Sequence, residues 1–80
     1  MKLPRDISGN YLIKCLSKLG YVVTRQKGSH VRLTCEIPHG FHHLTIPNHD
    51  PIKLGTLSSI LGDVSKAHGL EKNELINKLF

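Results

Sequence analysis

The densest chemical signal in the chain is the group Arg25, Lys27, Gly28, Ser29, His30 and Arg32, which places one imidazole among flexible cations beside a Gly-Ser turn. Those residue types suit work on a phosphodiester. Cleavage of RNA through its own 2′-OH needs a proton acceptor at the 2′ oxygen, a proton donor at the 5′ leaving oxygen, and positive charge on the non-bridging oxygens. A histidine can take either proton role near neutral pH. Arg25, Lys27 and Arg32 can hold the phosphate, and the turn N–H groups of Gly28 and Ser29 can meet it as well. One imidazole cannot be acid and base at once, so the second proton step falls to His43, to His49, to the Ser29 hydroxyl or to water. Against this chemistry stands the plain alternative of a surface histidine on a solvated basic face.

Two other constellations compete and are weaker. Cys35, His39, His42 and His43 are zinc-type ligands within one hairpin. The chain has no CxxC or paired HxxxH, however, and strand alternation turns Cys35 toward the core. Ser29, His30 and Asp50 contain the members of a nucleophilic triad, yet adjacent residues of a strand point to opposite faces, which separates the serine from the histidine. Spacing and alternation thus disfavour a structural zinc and a triad, and no cofactor-binding motif is read in the chain.

The elements that must position His30 are legible from periodicity. Residues 10–19 form a helix: Ser8 is placed to cap it, Ile7 to staple onto Leu12, and Gly20 to end it. Leu12, Cys15, Leu16 and Leu19 share its inner face. Residues 21–25 are aromatic and β-branched, predicting a strand, with residues 26–28 as the turn. From 29 to 36 the chain alternates, with His30, Arg32, Thr34 and Glu36 on one face and Val31, Leu33 and Cys35 on the other. After a turn at 38–40, residues 41–47 form a third strand. Leu44 and Ile46 face the core there, and His43 and Thr45 share the face of His30; a slip of one residue would exchange His42 and His43. Residues 48–54 form a loop. A helix follows from Gly55-Thr56 to just before Gly69, and a short one spans residues 71–79.

The order is α-β-β-β-α with a short C-terminal helix: an α+β fold, in which two main helices pack on one face of a three-stranded antiparallel sheet and leave the other open. This is the layout of the double-stranded-RNA-binding fold. Eighty residues suffice for one domain, 1–80, with a thin core. No apolar run is long enough for a membrane span, and the opening residues lack the apolar stretch of a signal peptide, so a cytoplasmic protein is expected. Cys15 and Cys35 read as reduced, core-facing thiols. Charge is polarised: residues 1–32 hold seven cations against one acid, and residues 33–80 hold four against five. The basic half is a candidate surface for a polyanion.

In their order, several segments match a known pattern. They are Met1-Lys2-Leu3-Pro4, Gly20-Tyr21, Arg25-Gln26-Lys27-Gly28-Ser29-His30, Ile46-Pro47-Asn48-His49, Gly55-Thr56-Leu57-Ser58-Ser59-Ile60-Leu61 and Gly69-Leu70. Over nearly its whole length the chain resembles the HicA toxins of toxin–antitoxin systems, which are small messenger-RNA interferases with a double-stranded-RNA-binding-like fold. The resemblance implies that the Gly-Ser-His histidine, here His30, is catalytic, that no metal is needed, and that a HicB-type antitoxin covers the active face. It places His49 at the family's Pro-x-His position, so Pro47, His49, Gly55 and Thr56 are expected to shape structure and loops. The chain departs from the family pattern at Thr34-Cys35-Glu36 and in its histidine-rich hairpin. A non-catalytic RNA-binding module with the same fold is the alternative function.

Overall fold

The computed structural model describes residues 3–80. Met1 and Lys2, which open the resemblance and contribute one of the N-terminal cations, lie outside the described residues. The elements are α1 (Gly9–Leu16) with a short 3₁₀ turn (Ser17–Leu19), β1 (Val22–Lys27), β2 (His30–Ile37), β3 (Gly40–Pro47), α2 (Leu54–His68) and α3 (Lys72–Leu79). The strands form one antiparallel sheet in the order β1-β2-β3. This is the α+β fold with an open sheet that the periodicity predicts.

Local signals account for the element ends. Ser8 caps α1, its hydroxyl accepting the Tyr11 N–H at 3.1 Å. Gly20 closes the 3₁₀ turn at φ 98°, a left-handed conformation that suits glycine. A reciprocal capping box between Glu71 and Glu74 starts α3. The loop before α2 is one residue shorter than the sequence suggests, because the helix begins at Leu54 with Lys53 at the cap. Gly55 and Thr56 thus belong to the first turn of α2, not to a loop.

The core is built from the face of β2 that carries Val31, Leu33 and Cys35 and from Leu44 and Ile46 of β3. Leu12, Cys15 and Leu16 of α1, four residues of α2 and three of α3 pack with them, and Ile7 and Leu12 join the same cluster. Strand β1 contributes nothing to this core, since all six of its residues are exposed. The two main helices therefore cover β2 and β3, and β1 is held at the sheet edge by its ladder to β2. A bulge between Val23 and Arg25 adds a residue to that edge.

Candidate active site

His30 is the first residue of β2, and its side chain is exposed on the sheet face opposite the helices. The hairpin that carries it is tighter than the sequence predicts. Gln26 and Lys27 continue β1 and pair with Val31 and His30, leaving Gly28 and Ser29 as a two-residue turn. Gly28 supplies the positive φ, 59°, at the first turn position, as in the type II′ turns that match strand twist. Ser29 is consequently a turn residue and not the first residue of the strand, so alternation does not by itself separate it from His30.

Strand register arranges the open face in rows. Lys27, His30 and Pro47 form the first; Arg25, Arg32 and Thr45 form the second. Side chains directly opposite each other have Cβ atoms about 4.5–5.5 Å apart, so the Lys27 ammonium can reach a phosphate held at His30. Arg25 faces Arg32 with no acidic residue in either row. Such a like-charge pair opposes folding and is relieved when an anion binds between its members. The third row brings Thr34 opposite His43, whose Nδ1 lies 2.9 Å from the Thr34 hydroxyl; Thr34 in turn lies 3.0 Å from the Thr24 hydroxyl. His43 shares the face of His30, as the register predicts, but it is four residues along the strand, about 13 Å away. At that distance the two rings cannot serve one phosphodiester.

The remaining candidates hold the hairpin. The Asn48 N–H donates to the Ser29 carbonyl at 2.7 Å, and the Gly9 N–H donates to the His49 carbonyl at 2.8 Å. Through its backbone, then, His49 ties the start of α1 to the loop that supports the Gly28-Ser29 turn, while its side chain is exposed. Pro47 ends β3 beside His30. Gly9 belongs with these residues, although the sequence marks it only weakly. It is the one glycine whose missing side chain lets another segment approach, since a Cβ there would lie 2.6 Å from the Asn48 Cα. The only clue is its place immediately after the capping Ser8.

Register also divides the zinc-type residues. Cys35 pairs with His42 on the helix side, whereas His43 lies on the open side and His39 in the exposed turn. Burial, and then the Glu36 charge, push the Cys35 thiol above its ordinary pKa, which disfavours the thiolate a metal requires. Both cysteines are free and buried. His42 takes part instead in a cluster the sequence does not reveal. The Tyr21 hydroxyl lies 2.7 Å from His42 Nδ1 and 3.0 Å from His68 Nε2, joining the segment just before β1, strand β3 and the end of α2. Burial raises the Tyr21 phenol well above its ordinary pKa. The His42 imidazole is lowered, first by burial and then by its neighbour His68.

A cavity lined by Pro4, Arg5, Asp6, Pro51, Ile52, Lys53 and Leu54 includes none of the candidate residues. His30 instead occupies an open sheet surface, which suits an extended polymer better than an enclosed small molecule. No helix among the described residues is long and apolar enough to cross a membrane.

The described residues thus form an α+β domain whose open sheet face carries His30 with Lys27, Arg25 and Arg32. The family model described as HicA toxin of bacterial toxin–antitoxin systems matches residues 9–66, and the chain belongs to that family. No curated protein and no solved structure matches it.

Proposed function

We propose that the chain is the toxin of a toxin–antitoxin pair and acts in the cytoplasm as an endoribonuclease on messenger RNA, with His30 as its catalytic residue and no metal cofactor. The observation that carries this reading is the exposed imidazole in a row with Lys27, one row from the unneutralised Arg25–Arg32 pair. In this scheme Arg25, Arg32 and Lys27 hold the scissile phosphate and offset charge on its non-bridging oxygens, helped by the N–H groups of the Gly28-Ser29 turn. His30 transfers one proton, either from the 2′-OH or to the 5′ leaving oxygen, and water or the Ser29 hydroxyl completes the second transfer. His43 binds the substrate away from the scissile bond. A HicB-type antitoxin would silence the protein by covering this face.

The product termini test the chemistry. Incubation of the pure protein with RNA should yield 2′,3′-cyclic phosphate ends at a rate that excess chelator does not change. Products bearing 5′-phosphate and 3′-hydroxyl ends would contradict attack by the substrate's own hydroxyl. A second reading, a module that binds RNA without cutting it, is favoured by the absence of another imidazole from the row of His30. It requires saturable, salt-sensitive binding with no product on prolonged incubation.

A further inference from the structure

The open face carries one large aromatic ring that the cleavage scheme does not use. Phe41 is 65% exposed, although phenylalanine is ordinarily buried. It pairs with Glu36, an open-face residue of β2, and so shares the face of His30. Along β3 the same face presents Phe41, His43, Thr45 and Pro47 in turn, and Pro47 sits beside His30. One stripe thus leads from an exposed aromatic ring, past a second flat ring, to the candidate catalytic imidazole.

The spacing of the two rings selects a conformation of nucleic acid. Residues two apart on a strand are separated by about 6.8 Å, twice the ~3.4 Å rise of stacked bases in a duplex. Bases resting on both rings must be splayed apart, as they are in single-stranded RNA. The His43 ring is held for this by its 2.9 Å contact with the Thr34 hydroxyl. Glu36, beside Phe41, repels phosphate and accepts hydrogen bonds from base amino groups, so it turns the bases rather than the backbone toward this end of the sheet. A protein partner fits less well. The exposed apolar residues of this face, Phe41 and Val22, lie on opposite edge strands with Thr34 and Glu36 between them, and they do not form the continuous apolar centre of a protein interface.

We propose that the Phe41–His43 stripe of β3 is a base-stacking track for single-stranded RNA, which fixes the substrate about 13–20 Å upstream or downstream of the phosphate held at His30. The track rests on the RNA-cleavage reading and specifies the substrate class for that same face. Phe41 binds substrate without taking part in the chemistry.

The test uses 2′-O-methyl RNA of about ten nucleotides, which lacks the attacking hydroxyl, as a single strand and as a duplex. Dissociation constants are measured by fluorescence anisotropy for the wild type, Phe41→Ala and Phe41→Trp. Phe41→Ala should weaken single-strand binding about 10-fold or more without changing its salt dependence, because no charge is removed. Phe41→Trp should bind like the wild type. Since the chain has no tryptophan, the new indole is its sole such fluorophore and should be quenched by the stacked base. Duplex affinity should be indifferent to both changes. A wild-type dissociation constant for Phe41→Ala on the single strand would overturn the track while leaving the role of His30 standing. So would loss of affinity for an antitoxin protein with RNA binding unchanged, which would assign the stripe to a protein partner. No saturable binding of RNA by the wild type would overturn both the track and the reading it rests on.

Discussion

Replacing Gly9 with alanine perturbs the support of the His30 hairpin from a distance, and its magnitude can be worked out. The added Cβ would lie 2.6 Å from Asn48 Cα, 2.7 Å from Asn48 Oδ1 and 3.0 Å from the Pro47 carbonyl oxygen. Two of these are backbone atoms, so no change of rotamer relieves the clash, and residues 47–49 must move away. That movement stretches both the Gly9 N–H bond to the His49 carbonyl and the Asn48 N–H bond to the Ser29 carbonyl. Overpacking of this kind costs about 1–3 kcal/mol, and each weakened backbone hydrogen bond adds up to about 1 kcal/mol. Helix propensity acts the other way, favouring alanine by at most about 1 kcal/mol. The balance is a loss of about 2 kcal/mol, which lowers Tm by about 10 °C in a domain of this size. Thermal unfolding followed by circular dichroism measures it directly. A Tm equal to or above that of the wild type, the result helix propensity alone dictates, would refute the argument that close approach at Gly9 holds the loop.

Three further outcomes follow from the same geometry. Tyr21→Phe leaves His42 Nδ1 and His68 Nε2 without their shared hydroxyl and should cost about 1–3 kcal/mol in urea unfolding. Because the folded His42 pKa lies below its ordinary 6.5, its contribution to stability is full above pH 6.5 and is lost as the pH falls below that value. Melting temperatures should therefore drop between pH 7 and 5, and less steeply in His42→Gln. Arg25→Glu converts the like-charge pair with Arg32 into an opposite-charge pair, so Tm should rise by a few degrees while RNA affinity falls. An RNA titration and a melting curve on the same sample check both signs.

Sequence periodicity reveals most of the frame and the placement of the central residue. The alternation of β2 sets His30, Arg32 and Glu36 outward and buries Val31, Leu33 and Cys35, and the structure has the same pattern. The register putting His43 on the open face follows from the hydrophobic pattern of β3, because a slip would expose Leu44 and Ile46. Features that depend on contacts between distant segments were not legible. The approach of Gly9 to Asn48 and the meeting of Tyr21, His42 and His68 bring together residues far apart in the chain, which leave no local period. The exposure of β1 was hidden for a different reason. Its Val22 and Val23 are β-branched strand residues, but Val22 pairs with Thr34 on the open face and Val23 with Leu33 on the helix side, where no helix reaches the edge, and the two are 60% and 52% exposed. The two-residue length of the turn is not visible in the sequence, because Gln26 and Lys27 are polar, as turn residues and edge-strand residues both are.

Cleavage of RNA, as proposed, depends on the exposed ring of His30 moving a proton. The direct measurement is the single-turnover cleavage rate of His30→Ala beside the wild type, with circular dichroism and RNA affinity recorded for both. The variant should fold, still bind RNA and cleave it about 10²–10⁴-fold more slowly. A folded His30→Ala protein that cuts at the wild-type rate would contradict that role of His30.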